Sequence, residues 1–173
     1  EIRDKETAEI AVQAALTGHL VYTTVHANNV FDVLSRFHHM GMDSYSFVTA
    51  LNGVVAQRLV RLICTHCIEQ DHPDQELLAQ SGLAGKDLSA WTFKHGRGCI
   101  QCRGTGYKGR RALAEVLMLD DQMRELILNQ TPVSQLKEKA REKGMRFMRE
   151  QALSAVKDGK TTLEEINRVT FVE

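Results

Sequence analysis

The sequence lacks the features that assign many chains to a broad class at once. Its longest unbroken apolar runs are only a few residues, whereas a membrane-spanning helix needs about 20. It has no excess of one charge, because 22 basic residues balance 22 acidic residues, so net charge indicates neither a nucleic-acid nor a membrane partner. Internal repeats and low-complexity segments are absent as well. With 173 residues, 43% hydrophobic and 25% charged, the composition is typical of one globular domain with at most a small appendage.

A secretory leader is also missing from the visible sequence. The opening stretch EIRDKETAEI is charged from its first residue, so no signal peptide is visible there. Because the chain begins with Glu rather than Met, we expect that its natural N-terminus is not included.

Cysteine is scarce, and all of it falls in two CxxC pairs, CTHC and CIQC. Without a secretory context, this spacing indicates a metal site rather than disulfides. Two thiolates from each turn complete a tetrahedron around zinc and leave no position for water or substrate, so we predict a structural zinc site. Unliganded thiols and two disulfides are the alternatives. The predicted ligands are Cys64, Cys67, Cys99 and Cys102. Three nearby histidines are alternative candidate ligands: His66, His72 and His95.

Residues 1–63 have the pattern of an α/β fold. A helix is predicted after Asp4, which is suited to cap it, and a second helix over residues 28–42. Between them, the β-branched and aromatic run in residues 19–29 predicts a strand buried on both faces. Alternating apolar and basic residues in VAQRLVRLIC favour a further strand, with a helix as the alternative. This order is typical of a parallel α/β sheet.

The rest of the chain differs in composition and in predicted secondary structure. Glycines crowd around the second cysteine pair, as tight metal knuckles require. Beyond it, ALAEVLMLDD predicts one strand, and helices are predicted near residues 120–129, 133–143, 145–157 and 162–168.

A basic cluster surrounds the second cysteine pair. Such a cluster beside a zinc knuckle is one arrangement for contacting nucleic acid, and a solvated surface is the alternative. No aromatic array accompanies it, so no nucleic-acid partner is expected. The cluster consists of Lys94, Arg97, Arg103, Lys108, Arg110 and Arg111.

Several motifs, in the same order, resemble the ATPases of type II secretion and type IV pilus assembly (the general secretory pathway protein E family). EIRDKETA resembles the end of their Walker B segment, and TGHLVYTTVHANN resembles their His box. AQRLVRLICTHC, GCIQCRGTGYKGRRALAEVLMLDD and GMRFMREQALSAVKDGKTTLEEINRVT resemble the remainder of the carboxyl-terminal half. The resemblance covers essentially the whole chain. The tetracysteine arm marks the secretion and assembly branches and is generally lacking in the pilus retraction branch.

The resemblance implies an α/β fold in three parts. Residues 1–63 would be the last part of a RecA-like P-loop ATPase core. Residues 64–111 would form an inserted tetracysteine zinc arm, and residues 112–173 a strand and a helical carboxyl-terminal tail.

It also implies a homo-hexameric cytoplasmic motor, peripherally associated with the bacterial inner membrane, that uses ATP and Mg²⁺ to drive pilin or pseudopilin assembly with inner-membrane platform proteins. Glu1 matches the acid that polarises the attacking water, with Asp4 nearby. His19 and His26 match histidines that sense the γ-phosphate. Arg58 and Arg61 are candidates to face nucleotide or a neighbouring subunit.

Two departures from the family pattern bear on activity. The usual His-box ending is closer to TLHTND, and here Ala27 and Asn29 replace the Thr and the Asp. The chain also has no phosphate loop: Gly104 and Gly109 have the required spacing, but two arginines follow where Lys and then Ser or Thr are needed. We therefore expect this chain alone to be inactive. A non-enzymatic zinc-binding interaction module and a nucleic-acid-binding zinc domain are the alternative functions.

Overall fold

The structure, a computed structural model, describes residues 1–170, which form two compact units. Unit 1 consists of residues 1–56 and 115–146, and unit 2 of residues 57–114 together with the stretch from residue 147 onward. Each unit is therefore built from two separate stretches of the chain. The three-part division at residues 63 and 111 stays a prediction.

Three helices precede the first strand, and four helices follow the last one. The helices are α1 (Lys5–Leu16), α2 (Val30–His39), α3 (Ser44–Ala50), α4 (Gln75–Gln80), α5 (Asp121–Leu128), α6 (Val133–Glu142), α7 (Met148–Lys157) and α8 (Leu163–Val169). The strands are β1 (Gly53–Ile63), β2 (Ile68–Gln70), β3 (Lys94–Gly96) and β4 (Tyr107–Met118). Strands β1 and β4 form one two-stranded sheet and β2 and β3 another. None of the helices in residues 1–170 has the length and apolar composition needed to span a bilayer.

The predicted helices, and the strands predicted in VAQRLVRLIC and ALAEVLMLDD, are confirmed. The Asp4 carboxylate caps α1 by accepting a hydrogen bond from the Thr7 N–H at 2.8 Å. The Asn29 side chain caps α2, accepting from the N–H groups of Phe31 and Asp32 at 2.9 Å. Such caps satisfy N–H groups that the first helical turn leaves without an intrahelical partner.

The strand predicted within residues 19–29 is wrong. Leu20 and Tyr22 are 73% and 87% exposed, and no strand forms between α1 and α2. A buried strand needs hydrogen-bonded neighbours, whereas the backbone bonds of this stretch are isolated: the Ile2 N–H donates to the Thr24 carbonyl at 2.9 Å and the His19 N–H to the Ala14 carbonyl at 3.1 Å. The β-branched composition reports a preference for extended backbone, but pairing requires a partner strand.

Unit 1 buries one face of α2 against α3. The rings of Phe37 and Phe47 stack with centroids 4.1 Å apart. The Arg124 guanidinium, on α5, donates to the carbonyls of Val48 and Leu51 at 3.3 and 2.7 Å and also to that of Leu119. The bonds to Val48 and Leu51 satisfy carbonyls at the end of α3 that have no helical partner.

Unit 2 combines the arm with the last two helices. Strands β2 and β3 pair antiparallel, with Glu69 opposite His95. Helix α8 lies beside α7 and α4, and its buried side chains include Leu163 and Ile166. The Tyr107 hydroxyl is hydrogen-bonded to the Thr162 hydroxyl at 2.8 Å. The unit therefore joins a cysteine-bearing hairpin to a helical pair at the end of the described chain.

Candidate metal centre and candidate catalytic residues

The two CxxC turns bring all four sulfur atoms together in unit 2, within 4.8 Å of one another. The Sγ atoms of Cys64 and Cys99 lie 3.9 Å apart, those of Cys67 and Cys102 3.8 Å, and those of Cys99 and Cys102 3.7 Å. A disulfide requires about 2.05 Å, so the alternative of two disulfides is wrong. A regular tetrahedron with a metal–sulfur distance of about 2.3 Å has edges of about 3.8 Å. The sulfur positions therefore have the size of a four-thiolate metal site.

Hydrogen bonds and burial shift the pKa values of two of the thiols in opposite directions. Burial raises the pKa of the Cys67 thiol. Burial acts in the same direction on Cys102, but the N–H groups of Cys99 and Gly106 donate to its sulfur at 3.1 and 3.3 Å, and the pKa of this thiol is lowered. N–H donors aimed at sulfur are the surroundings that stabilise a metal-bound thiolate.

The glycines of the knuckles allow two backbone segments to touch. A Cβ atom added to Gly96 would lie 2.1 Å from the Gly106 carbonyl oxygen, and one added to Gly106 would lie 2.3 Å from that of Gly96. The Cys64 N–H donates to the same Gly106 carbonyl at 2.9 Å. Any larger residue would force the two knuckles apart, which accounts for the glycine crowding in the sequence.

The nearby histidines do not join the sulfur cluster. Among residues 1–170, the metal-sized groups of His, Cys, Asp and Glu comprise the four cysteines alone. The His95 Nδ1 instead lies 3.5 Å from the Asp71 carboxylate.

The structure brings Glu1 and His26 together in unit 1. The His26 Nε2 lies 3.1 Å from the Glu1 Oε1, and Arg3 donates to the Glu1 Oε2 at 2.6 Å. The hydrogen bond from Arg3 is the largest influence that lowers the pKa of Glu1, with further contributions from the charges of Arg3 and His26. Glu1 is thus an ionised carboxylate held between two basic side chains. His26 is itself 79% exposed.

Asp4 and His19 have local contacts. Asp4 is occupied as the cap of α1, and hydrogen bonds from Thr7 lower its pKa. The His19 Nδ1 lies 3.2 Å from the Ala14 carbonyl oxygen and 3.3 Å from the Thr17 hydroxyl. His19 also lines a cavity of about 360 Å³ in unit 1.

The two candidate arginines differ in their surroundings within unit 2. Arg58 lines a cavity of about 250 Å³ together with Asn167 and Arg168. The Arg61 guanidinium forms two hydrogen bonds with the buried Glu165 carboxylate, at 2.9 and 2.7 Å. It also lies 4.1 Å from the centroid of the Tyr107 ring.

Sequence reasoning missed one acidic residue beside the His box. Glu115, on β4, is 3% exposed, and its carboxylate accepts from the Val30 N–H at 2.9 Å. Val30 is the first residue of α2 and lies four residues after His26. The signal in the sequence is a single acid within the apolar run ALAEVLML, since a carboxylate is rarely buried without a partner.

This arrangement of helices and strands resembles that of a solved ATPase structure. The structure resembles the X-ray structure of the Legionella pneumophila ATPase DotB with a TM-score of 0.62, covering 98% of this chain and 36% of that chain. At 21% identity, this likeness shows the fold.

The chain belongs to the family described as Type II/IV secretion system protein, whose family model matches residues 1–168. It is 45% identical over 166 residues to the Type IV pilus assembly ATPase PilB of Thermus thermophilus, covering 96% of this chain and 19% of that protein. It is 42% identical over 174 residues to the Type II secretion system protein E of Pseudomonas aeruginosa, covering 100% and 34%. The predicted family is confirmed, and the chain spans between a fifth and about a third of these relatives' lengths.

Proposed function

We propose that this chain is the carboxyl-terminal part of a homo-hexameric ATPase that hydrolyses ATP to power type II secretion or type IV pilus assembly. The observation that carries the proposal is identity of 36–45% across 96% or more of the chain to relatives that are named secretion or pilus ATPases. In the proposed setting the protein is cytoplasmic, lies at the inner membrane, and works with platform proteins of that membrane. No nucleic-acid partner is proposed.

The ATP and Mg²⁺ chemistry is assigned to the longer protein. The residues of this chain do not fit a triphosphate by themselves, because no GxxxxGK motif followed by Ser or Thr is present. Backbone N–H groups of such a loop are what hold the phosphates in this class of enzyme. We therefore expect the chain alone to lack ATPase activity.

Glu1 and His26 are the proposed catalytic pair of the intact enzyme. Phosphoryl transfer requires a positioned water and stabilised charge more than covalent chemistry. An ionised carboxylate held between Arg3 and His26 is a suitable acceptor for a hydrogen bond from water, and the contact with His26 links the carboxylate to the loop that precedes α2. Asp4 fixes the start of α1 beside this pair. His19 is proposed as a second sensor of the γ-phosphate.

Zn²⁺ is the proposed metal of the four-cysteine site. A tetrahedral set of four thiolates suits zinc and holds it in a closed, structural site. Arg58 and Arg61 remain candidates for contacts with nucleotide or a neighbouring subunit. Arg61 also pairs with Glu165.

The catalytic assignment predicts a strong effect of one histidine. In the full-length protein, His26→Ala is expected to lower the ATP turnover rate by about 100-fold while ATP affinity changes by less than about threefold. Turnover is measured by phosphate release and affinity by a fluorescent nucleotide. The exposed His72, in unit 2, provides the matched control: His72→Ala is expected to leave both values unchanged. Unchanged turnover in His26→Ala would exclude the sensor role, and a full-length protein without ATPase activity would favour the non-enzymatic zinc module.

Glu115 is proposed as a positioning residue for the His26 loop. Glu115→Ala removes the acceptor of the Val30 N–H and is expected to lower turnover about tenfold and the free energy of unfolding by about 1–3 kcal/mol. Glu115→Gln keeps an acceptor oxygen and is expected to restore most of the turnover. Val33→Ala, at a buried position of α2, is the control for stability alone. If Val33→Ala lowered turnover as much as Glu115→Ala at equal stability, positioning would be the wrong explanation.

A further inference from the structure

One cysteine of the candidate metal centre differs from the other three in its exposure. Cys64, Cys67 and Cys102 are buried, with exposed fractions of 0%, 5% and 6%. Cys99 is only partly buried, and the residue that follows it, Ile100, is 90% exposed. The cluster therefore has one cysteine at the surface of the arm and three inside it.

Two glycines that touch each other form the backbone beside Cys99. Gly98 precedes Cys99 directly, and the Gly104 N–H donates to the Cys99 carbonyl at 2.9 Å. A Cβ atom added to Gly98 would lie 2.7 Å from the Gly104 carbonyl oxygen. Neither glycine has a side chain that would shield Cys99 from a small molecule.

The segment that carries Cys99 is strongly basic. Between Asp87 and Glu115 the chain has six Lys and Arg residues and no Asp or Glu, although the whole chain is neutral. Arg97 and Arg103, on either side of Cys99 in the sequence, are both exposed. Reactive cysteines are found in such electropositive and partly exposed surroundings, whereas fully buried cysteines are inert.

Cys102 is the sulfur partner of Cys99 within the same turn. Their Sγ atoms lie 3.7 Å apart, so they need to approach by about 1.7 Å to form a disulfide bond. The Cys64 Sγ lies 3.9 Å from that of Cys99, but these residues are 35 positions apart. Closing a ring within one short turn costs less conformational entropy than closing a loop of that length. A disulfide between Cys99 and Cys102 is therefore favoured.

We propose that Cys99 is a site of reversible oxidation by hydroperoxides, with Cys102 as the resolving cysteine. The Cys99 thiolate attacks one oxygen of hydrogen peroxide; the S–O bond forms, the O–O bond breaks, and hydroxide leaves and takes a proton from solvent. The Cys102 thiolate then attacks the Cys99 sulfur; the S–S bond forms, the S–O bond breaks, and a second hydroxide leaves and is protonated. The two thiolates lose two electrons, and hydrogen peroxide is reduced to two molecules of water.

Oxidation of this pair removes two of the four sulfur ligands of the metal centre. A metal ion held by four thiolates needs all of them deprotonated and reduced, so the arm then releases its ion. A thiol reductant reverses the reaction by thiol–disulfide exchange. Disulfides in a reducing compartment are usually transient and redox-sensing. The inference goes beyond the proposed ATPase function and rests on the zinc site proposed above.

Zinc release and disulfide mapping test the inference. The zinc-loaded chain is treated with about one equivalent of hydrogen peroxide beside a zinc-binding dye, and its remaining thiols are alkylated for mass spectrometry. We expect release of about one zinc per chain, a first disulfide between Cys99 and Cys102, and recovery of zinc binding after dithiothreitol. Dimedone, which traps sulfenic acids, is expected to label Cys99. Retained zinc, or a first disulfide that includes Cys64 or Cys67, would overturn the inference.

Two variants separate the reactivity of Cys99 from the loss of any one ligand. Cys99→His keeps a zinc ligand without a thiol, since three Cys and one His also hold zinc, and is expected to slow peroxide-driven release by about tenfold. The matched control Cys67→His alters a buried ligand and is expected to release zinc at the unaltered rate. Equal rates in the two variants would contradict the assignment.

The metal content keeps this inference distinct from the proposals on which it rests. A purified chain that binds no metal would contradict the zinc site and the inference together, whereas a zinc-loaded chain that resists peroxide would contradict the inference alone. If either variant lost its zinc, the mapping in the unaltered chain would still decide. ATP hydrolysis is not among the readouts, so failure of the ATPase proposal leaves this test unaffected.

Discussion

Removal of the metal from the four-cysteine site is expected to unfold the arm from Cys64 to Cys102. Binding of zinc to structural four-ligand sites contributes about 10–16 kcal/mol in small peptides, which equals or exceeds the stability of a typical domain. Three pairs of the sulfur atoms lie 3.7–3.9 Å apart, and removal of the ion removes the bonds that would join them. We expect elemental analysis to find about one zinc per chain and Cys102→Ser to lose it.

The single tryptophan of the chain provides the readout for this experiment. Trp91 lies within the arm and stacks on Phe93, with ring centroids 5.5 Å apart. Chelation is expected to shift its emission to the red and to expose the arm to protease. His66→Ala changes a residue between Cys64 and Cys67 that does not belong to the sulfur cluster, so this control should keep its metal. An apoprotein with unchanged emission and unchanged protease resistance would rule out a structural metal.

Glu165→Ala is expected to lower the free energy of unfolding of unit 2 by about 1.5–3 kcal/mol, the range for losing hydrogen bonds to a charged group, because the side chains of Arg61 and Arg168 are themselves 42% and 57% exposed. Glu165 is 1% exposed. Its carboxylate accepts from the Arg61 guanidinium at 2.9 and 2.7 Å, from the Arg61 backbone N–H at 2.9 Å, and from Arg168 at 3.1 and 2.8 Å. Loss of the acid leaves two guanidinium groups without their common partner. Urea unfolding measures the change, and Glu164→Ala, at the exposed neighbouring position, is the control.

The same carboxylate predicts how stability depends on pH. Burial alone would raise the pKa of Glu165, but the hydrogen bonds from Arg168 and Arg61 outweigh it and lower the pKa to about 2. The pKa in the folded state is therefore below the ordinary value of 4.5. The contribution of Glu165, about 2–3 kcal/mol, is present above about pH 4.5 and is lost as pH falls towards 2. Glu165→Gln should show a shallower loss over this window, and equal slopes for both proteins would contradict the assignment.

Local features of the fold could be predicted from the sequence because their determinants are close together along the chain. Asp4 lies next to the helix that it caps, and each CxxC turn spans four residues. The strand predicted in residues 19–29 failed because a strand is defined by its partner, which composition does not reveal. Helix α4 was not predicted.

Contacts between residues that are far apart along the chain could not be predicted from the sequence pattern. Glu115 and Val30 are 85 residues apart, and Arg61 and Glu165 are 104 residues apart. An isolated acid in an apolar run indicates that a partner exists, but the topology alone decides which residue it is. The sequence resemblance assigned Glu1 and His26 to two separate motifs and did not predict that the two side chains are in contact. Their 3.1 Å contact comes from the path of the chain around α1.

The distance along the chain between Arg61 and Glu165 has a consequence for synthesis. A ribosome adds about 5–20 residues per second. Arg61 is therefore synthesised about 5–20 s before Glu165, which lies 104 residues later. The cysteines of the first turn wait for a shorter time, because Cys67 and Cys102 are 35 residues apart. Metal binding can therefore fix the structure of the arm early in synthesis. The ion pairs of α8 can form only after that helix has left the ribosome.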